Sequence, residues 1–403
     1  MSADTSLRLL FASPHSYLDP SSGAAATTRD VLEALAARGH DCRALSAGVL
    51  DYHGEVRLDH LFASQGLHVR RALAARDVGG PIEVRDLMLD GVRVTLMPTS
   101  SSRSDQAPAR EESAAWLDLA AQVLDRFRPH ILLTYGGHPV VPILMRWARG
   151  RGIPAVFHLH NFAYPDRGAF TDAAAVLVPS EYSRRHHSHH LGLESTAIAP
   201  PVRPERVVAS DPHPRFLTFV NPALIKGLTV FARIACELGR RRPDIPMLVV
   251  EGRAGAGALA QLGIDLAGVR SLSWMPNTPD PRRFYRFSRA VLMPSLWRES
   301  FGRVAAETLF NGLPVLASDR GALPETLENA GLVLHVPDRY TPETYEVPTA
   351  REVEPWIAAI ERLWDDPDFE ALHHARAHAR ARNLAPAVLT DAYEAFFRRI
   401  AAR

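Results

Sequence analysis

The sequence has little cysteine, little net charge and no long apolar run. Its two cysteines, Cys42 and Cys236, lie far apart, with neither the CxxC spacing of a metal or redox site nor the density of a disulfide framework. We expect both to be reduced, buried thiols in a cytoplasmic protein. Lysine plus arginine (46) nearly equal aspartate plus glutamate (45), so the chain has no general attraction for nucleic acid or acidic lipid.

Several further classes are excluded by segments and motifs that are absent. No stretch approaches the roughly 20 apolar residues of a membrane-spanning helix, and the start, MSADTSLRLLFASP, lacks the basic and apolar regions of a signal peptide. The patterns G-x-x-x-x-G-K-[ST], G-x-S-x-G and H-E-x-x-H do not occur, which argues against a P-loop nucleotide triphosphatase, a serine hydrolase or a zinc protease. The chain has instead the composition of a globular protein, 46% hydrophobic and 23% charged, and its 403 residues suffice for two domains.

Short apolar runs with strand composition alternate with longer stretches of helical spacing. Strands that are apolar throughout are covered on both faces, so we predict parallel sheets between helices. The alternation occurs in both halves of the chain, which indicates an α/β fold built twice. The runs are Leu7–Ala12, Ile131–Tyr135, Ala155–His160 and Ala175–Pro179 in the first half, and Phe216–Asn221, Met247–Glu251, Ala290–Pro294, Pro314–Ser318 and Gly331–His335 in the second.

A proline-rich segment separates the two halves. The sequence APPVRP, and DPHP shortly after it, places prolines over residues 200–214, where they stiffen a connector and prevent a long helix. We therefore predict one domain over residues 1–200 and a second over 201–383. The tail, 384–403, has the apolar spacing of one helix, which we expect to pack on the first domain.

The most informative segment runs from Pro294 to Glu307, with the sequence PSLWRESFGRVAAE. We predict that an apolar strand ends at Pro294 and that a helix begins near Ser300. The start of a helix has unpaired N–H groups and a partial positive charge, so it suits a phosphate, and Gly302 lets a ligand approach the backbone. Glu299 and Glu307 lie on either side, where they can accept hydrogen bonds from the hydroxyls of a sugar and a ribose. Taken alone, two such glutamates are also typical of an ordinary solvated surface.

This segment is followed by N-G-L-P-V-L-A-S and then by G-A-L-P-E. The ordered set P-S-x-x-x-E-S-F-G, E-x7-E, N-G-x-P-V-x-A-S and G-x-L-P-E resembles the retaining glycosyltransferases of family 4, and the resemblance extends over most of the chain. It implies the GT-B fold, two facing Rossmann-like domains with parallel sheets and a cleft between them. It also implies that Glu299 contacts hydroxyls of the transferred sugar and that Glu307 holds the nucleotide ribose. Backbone amides around Ser300, Phe301 and Gly302 would meet the sugar and the diphosphate.

A second element, NPALIKG, follows the first strand of the second half and contains Lys226, one of very few lysines in an arginine-rich chain. A lysine at a strand end can neutralise a diphosphate as a point charge; the alternative is a solvated loop lysine. The family pattern is G-R-x-x-x-x-K-G, with both basic residues on the donor phosphates. Here Asn221 and Pro222 replace Gly-Arg, so one positive charge is missing. We predict that Asn221 still borders the donor and that another arginine, Arg253 in preference to Arg303, reaches the phosphates.

Two residues of the first half match the family's pattern near the transferred sugar. Gly23, in SSGAA after the first strand, corresponds to a glycine-rich loop that faces the donor phosphate and the acceptor, although an ordinary turn has the same composition. His160, at the end of the run Ala155–His160, corresponds to the family's histidine at a strand end. We expect His158 to point to the opposite face of that strand and to serve packing.

Two other segments are assigned no ligand. The tract RRHHSHH over residues 184–190 has no fixed ligand geometry and no nearby carboxylate cluster, so we interpret it as a solvated helix face. The glycine-rich EGRAGAG is not the G-x-G-x-x-G of a dinucleotide site. We expect neither a metal nor a cofactor.

Together these observations predict a retaining, metal-independent glycosyltransferase with a UDP- or GDP-linked sugar as donor. The second domain would bind the nucleotide, and first-domain loops over residues 54–80 and 97–113 would bind an acceptor that the sequence does not identify. Glu299, His160 and Lys226 would carry the transfer, with front-face attack and the departing phosphate taking the acceptor's proton, as the resemblance implies. A nucleotide-sugar epimerase, a phosphorylase and a non-catalytic nucleotide-sugar-binding protein remain alternatives.

Overall fold

The computed structural model describes residues 6–51, 54–76, 80–106, 108–260, 262–263, 266 and 268–402. Its contacts divide the chain into two compact units: unit 1 is Met1–Pro201 with Pro386–Arg403, and unit 2 is Val202–Ala385. Each unit is a largely parallel sheet with helices on it, which confirms the predicted α/β fold class. None of the helices over the described ranges is both long and apolar enough to cross a membrane.

Unit 1 contains a mixed sheet, not the wholly parallel one that was predicted. Its strands, as far as the described residues go, are β1 (Arg8–His15), β2 (Asp41–Val49), β3 (Arg70–Ala74), β4 (Ile82–Leu89), β5 (Val92–Met97), β6 (Ile131–Thr134), β7 (Ala155–His158), β8 (Ala175–Val178) and β9 (Thr196–Ala197). Their order is β3-β4-β5-β2-β1-β6-β7-β8-β9, with β3–β4 and β4–β5 antiparallel. The turn between β4 and β5 is Asp90–Gly91, with φ of 45° and 84°, which is the left-handed pair that a two-residue hairpin requires.

Helices cover both faces of this sheet. They are α1 (Gly23–Ala37), α2 (Leu58–Ser64), α3 (Arg110–Phe127), α4 (Val140–Gly150) and α5 (Glu181–Leu191). Buried residues of α1, such as Val31, pack on one face, and buried residues of α3 and α4, such as Trp116 and Leu144, pack on the other. Residues 54–80, predicted as an acceptor loop, contain α2 and β3. Helix α3 begins at Arg110, inside the other predicted acceptor loop, 97–113.

Unit 2 has a sheet that is parallel throughout. Counted over the described residues, its strands are β10 (Phe216–Val220), β11 (Met247–Val250), β12 (Leu272–Met275), β13 (Ser288–Met293), β14 (Val315–Ser318) and β15 (Gly331–Leu334), in the order β12-β11-β10-β13-β14-β15. The helices are α6 (Pro204–Val207), α7 (Leu228–Arg241), α8 (Gly257–Ala260), α9 (Arg282–Tyr285), α10 (Arg303–Phe310), α11 (Leu323–Leu327), α12 (Ala350–Asp365) and α13 (Pro367–Asn383). Because β10 pairs with both β11 and β13, the loops that follow these three strands share one edge of the sheet.

The last helix, α14 (Pro386–Ala401), belongs to unit 1. Its Tyr393 and Phe396 join the apolar cluster that contains α1, and Arg38 Nη1 pairs with Asp391 at 2.6 Å and with Glu394 at 3.0 Å. The helix starts at Pro386, two residues later than predicted, because a residue before proline is disfavoured in the helical conformation. Leu384 instead caps α13.

Candidate active site

Two loops at the carboxyl edge of the unit 2 sheet are held together by their backbones. The Ile225 carbonyl accepts hydrogen bonds from the N–H groups of Leu296 (3.0 Å) and Trp297 (2.9 Å). Gly227 makes this approach possible: its φ is 84°, and a Cβ there would lie 1.8 Å from the Pro294 carbonyl oxygen. The loop after β10 is thereby fixed against the loop after β13.

Lys226 and Glu299 meet where these loops touch. Lys226 Nζ donates to Glu299 Oε1 at 2.6 Å, and the side chains are 31% and 11% exposed. Ser295 Oγ donates to the same carboxylate oxygen at 2.9 Å; sequence reasoning missed this serine, although it lies in the P-S-x-x-x-E pattern. Lys226 is the only lysine in the sequence. The two predicted residues therefore form one ion pair, with Ser295 completing it.

The helix after this loop begins later than predicted. Its first residue is Arg303 rather than Ser300, because Gly302 has φ 86° and ψ 64°, which is left-handed and not helical. Ser300 and Phe301 lie in the preceding loop, where the Phe301 carbonyl accepts a hydrogen bond from Thr326 Oγ1. Glu299 is accordingly a loop residue that precedes the positive end of α10.

Glu307 lies on α10 with both carboxylate oxygens engaged. Arg303 Nε donates to Glu307 Oε1 at 2.8 Å, and the Tyr285 hydroxyl lies 3.4 Å from Oε2 and 3.3 Å from the Val304 carbonyl oxygen. Tyr285 is buried, and its pKa is raised well above the ordinary value by burial and then by the Glu307 charge. The hydroxyl therefore stays a donor. Tyr285 was not predicted, because nothing in its local sequence separates it from an ordinary core tyrosine.

Asn221 fills a structural role at the end of β10. Its φ is 59°, in the left-handed region that glycine and asparagine adopt most readily, so asparagine can stand where the family pattern has glycine. Its Oδ1 accepts a hydrogen bond from the Ala254 N–H at 3.2 Å, which ties the loop after β11 to the loop after β10. Pro222 follows and supplies no charge. Arg253 is exposed in the tied loop.

Gly23 is the first residue of α1 in unit 1 and is exposed. The helix is capped by Ser22, whose Oγ lies 3.5 Å from the Ala25 N–H. The SSGAA segment thus combines a helix start with an exposed glycine.

His160 lies two residues beyond β7, since that strand ends at His158. The prediction that these histidines occupy opposite faces is wrong: their ring centroids are 3.9 Å apart, as expected for residues two apart, which share a face. The His160 ring also meets the Tyr135 ring edge to face, with centroids 5.5 Å apart. Burial lowers the pKa of His160 to about 3, and burial and then His160 lower that of His158 well below its usual value, so both rings are neutral at pH 7.

The carboxyl edge of the unit 1 sheet holds further titratable groups that were not predicted. His15 ends β1, and its ring stacks on Tyr135 with centroids 6.0 Å apart. Burial lowers the pKa of His15, opposed by the charges of Asp51 and Asp19. Asp19 is buried and accepts hydrogen bonds from the N–H groups of Ser21 (2.8 Å) and Asp51 (2.6 Å), and its burial raises its pKa. The only available signal was that His15 lies three residues beyond the predicted apolar run Leu7–Ala12.

Within the residues that the structure describes, there is no group of three or more histidine, cysteine or acidic side chains that could hold a metal ion. On α5, the histidine tract stacks on itself instead: the rings of His186 and His190 are 4.0 Å apart.

Comparisons with known proteins match both units. Residues 171–390 match the model "Family 4 Glycosyltransferase in conflict systems", and residues 22–200 match "Glycosyl transferase 4-like domain". Curated relatives include the D-inositol 3-phosphate glycosyltransferases of Nocardia farcinica (33% identity; 42% of this chain and 37% of that protein) and Rhodococcus jostii (31% identity; 43% and 38%). The chain thus matches less than two fifths of the length of these relatives.

Solved structures resemble almost the whole chain. A glycosyltransferase from Rickettsia africae superposes with a TM-score of 0.67 at 14% identity, covering 98% of both chains. Anabaena HepE in complex with UDP superposes with a TM-score of 0.65 at 16% identity, covering 97% of this chain and 99% of that one. At such identities the likeness establishes the fold, which is GT-B. With a family model matched over more than half of its residues, the chain belongs to family 4 of the glycosyltransferases.

Proposed function

We propose that the chain transfers a sugar from a nucleotide-diphospho-sugar to an acceptor with retention of configuration and without a divalent metal. The contact between Lys226 and Glu299 carries this proposal. A diphospho-sugar has its anionic oxygens next to the sugar hydroxyls, so it needs a cation beside a hydrogen-bond acceptor. The ion pair, with 2.6 Å between Nζ and Oε1, offers that combination at a sheet edge where ligands of open α/β sheets bind.

The leaving diphosphate is stabilised by fixed positive charge in this proposal. Lys226 supplies a full charge, and the start of α10 supplies a partial one through the N–H groups after Gly302. A metal ion is then unnecessary. The departing phosphate oxygen takes the proton of the attacking hydroxyl on the same face of the sugar, so no side chain acts as a covalent nucleophile.

The nucleoside is held through Glu307, with its ribose hydroxyls as donors to the carboxylate. Tyr285 and Arg303 orient that carboxylate by their contacts with its two oxygens. We propose a UDP or GDP nucleotide, supported for UDP by the likeness to HepE, which was solved with UDP and with UDP-glucose.

In unit 1, His160 and Gly23 would position the sugar and the acceptor. The His160 ring is neutral at pH 7 because its pKa is about 3, so it acts by hydrogen bonding and not as a cation. Its orientation is fixed by the contacts with His158 and Tyr135. Positioning of this kind supplies a large part of a transfer's rate.

A non-catalytic nucleotide-sugar-binding protein is the second candidate. The absence of an arginine at Pro222 favours it, since one charge of the family's phosphate site is missing.

The test is a panel of UDP- and GDP-sugars with candidate acceptors. Transfer releases free nucleoside diphosphate much faster when the acceptor is present than by hydrolysis alone, whereas an epimerase releases none and a phosphorylase requires phosphate. The anomeric configuration of the product, read by NMR, should equal that of the donor. Inversion, or donor binding with no turnover on any acceptor and no slow donor hydrolysis, would overturn the proposal.

Variants separate the two glutamates. Glu307→Ala should weaken binding of bare nucleoside diphosphate, whereas Glu299→Ala should lower turnover of the intact donor without weakening that binding. The exposed Glu343 supplies the matched control, Glu343→Ala, for which neither quantity should change. Equal losses of diphosphate affinity in the two site variants would contradict the assigned roles.

A further inference from the structure

A cavity lies at the amino-terminal edge of the unit 2 sheet, opposite the edge that carries Lys226 and Glu299. It has a volume of about 590 Å³ and is lined by residues at the amino-terminal ends of parallel strands, among them Phe216, Ser273 and Arg289. Lys226 and Glu299 follow the carboxyl ends of the same sheet. The cavity is therefore separate from the proposed donor site. Its volume falls within the range of small-molecule sites.

The charge on its lining is positive and incompletely neutralised. Asp244 is held by Arg242 through hydrogen bonds of 3.0 and 2.7 Å, and Arg289 is held by Glu370 through hydrogen bonds of 2.6 and 2.8 Å. Two further arginines, Arg215 and Arg270, also line the cavity. Within the residues that the structure describes, neither guanidinium group has an ion-pair or hydrogen-bond partner, and that of Arg215 lies 5.3 Å from the centroid of the neighbouring Phe216 ring.

Hydroxyl groups add further donors. Ser271 and Ser273 also line the cavity, and Ser271 Oγ is buried with no hydrogen-bond partner among the described residues. The single carboxylate of the lining, Asp244, is already occupied by an arginine. Donors without acceptors are the recognition pattern for an anion, and guanidinium groups favour phosphate.

The remaining wall is apolar and suits a carbon framework. Three prolines and an indole line it: Pro214, Pro243, Pro246 and Trp364. The indole is fixed from one side by the Arg289 guanidinium, which lies 4.7 Å from the ring centroid. A bare inorganic ion would leave this wall without a contact.

We infer that the cavity is a second ligand site, which binds a small phosphorylated organic molecule such as a sugar phosphate. Arg215, Arg270 and the Ser271 hydroxyl bind the phosphate, and the proline and tryptophan wall packs against the organic part. The site is independent of the proposed donor site in both location and residues.

The experiment titrates the full chain with glucose 6-phosphate by calorimetry, with inorganic phosphate and glucose as comparison ligands. Glucose 6-phosphate should bind, both alone and with UDP at saturation, and more weakly as salt rises. The double variant Arg215→Ser/Arg270→Ser should weaken this binding by about tenfold or more. The control Arg351→Ser/Arg382→Ser removes two exposed arginines that do not line the cavity and should leave it unchanged.

Four outcomes would overturn the inference. These are no binding of the sugar phosphate, equal binding by the Arg215→Ser/Arg270→Ser variant, loss of binding when UDP is saturating, and equal affinity for inorganic phosphate. Failure of UDP to bind would count against the proposed transferase alone. The binding of glucose 6-phosphate to the wild type and to the variants is measured in the absence of UDP, so it would still test the cavity.

Discussion

Replacing Lys226 by methionine tests whether the ion pair with Glu299 competes with the donor's diphosphate. Lys226 Nζ lies 2.6 Å from Glu299 Oε1, so the carboxylate and a donor phosphate would share this cation. A charge-assisted contact with a phosphate contributes about 1.5–3 kcal/mol, which corresponds to roughly a 10- to 150-fold effect on affinity. Part of that contribution is offset when the lysine leaves or shares its carboxylate partner. We therefore expect Lys226→Met to weaken UDP binding by about 10- to 30-fold.

Glu299→Gln supplies the second arm of a double-mutant cycle. The variant removes the competing negative charge while Ser295 keeps a hydrogen-bond acceptor, so bare UDP should bind a few-fold more tightly. In the Glu299→Gln background, Lys226→Met should weaken UDP binding by nearer to the upper limit of about 150-fold, because the lysine then interacts with the diphosphate and no longer also with a carboxylate.

Calorimetry with UDP on the four proteins measures the cycle. Arg298 is exposed and adjacent to Glu299 in sequence, so Arg298→Met is the matched control for loss of one positive charge, and we expect less than a threefold effect as an order-of-magnitude limit for a screened surface charge. Equal losses for Lys226→Met and Arg298→Met would refute a specific phosphate contact. Equal effects of Lys226→Met in both backgrounds would refute the competition.

Further predictions concern the remaining site residues. Glu307→Ala should weaken UDP and UDP-sugar binding by the same factor, and a loss confined to the UDP-sugar would contradict its contact with the ribose. If Arg253 supplies the missing positive charge, Arg253→Ala should lower kcat/KM nearly as much as Lys226→Ala. If only Arg303→Ala lowers it that much, Arg303 has that role. Losses of less than a few-fold in both variants would exclude the idea that another arginine replaces the one missing at Pro222. Turnover should survive EDTA, and complete loss restored by manganese would exclude the metal-independent proposal. The unfolding free energy should fall as the pH drops from 6.5 towards 4, because the pKa of His160 is lowered to about 3 in the folded chain and the unfolded chain therefore binds the proton first; His160→Gln should reduce that slope in denaturant titrations.

The sequence predicts well those strands whose residues are almost all apolar. Fully buried strands such as β6 and β11 were recognised because β11 is apolar at every position and β6 at every position but Thr134. Strands β2 to β5, β9 and β12 were missed, since polar or half-exposed residues leave them without a continuous apolar run. The Asp90–Gly91 turn between β4 and β5 is a hairpin signal that could have found those two strands.

For the candidate site, motif spacing identified the right residues but did not predict the contacts between them. Lys226 was predicted at the donor phosphates and Glu299 at the transferred sugar. Their ion pair depends on the close approach of Gly227 to Pro294, which no local pattern encodes. The start of α10 was predicted near Ser300, whereas the left-handed Gly302 delays the helix by three residues. The face of His158 was misassigned through an error of strand periodicity, not through missing information.

The uniqueness of Lys226 gives the chain an unusual chemical property. The sequence offers a single ε-amino group, and that group lies against the carboxylate of the proposed sugar site. Any acetylation, carbamylation or labelling of lysine in this protein is therefore a modification of this one position, and it replaces a cation by a neutral or bulkier group. A lysine-specific protease likewise has one peptide bond to cut, between Lys226 and Gly227, so the yield of residues 1–226 and 227–403 reports directly on how well that loop is shielded.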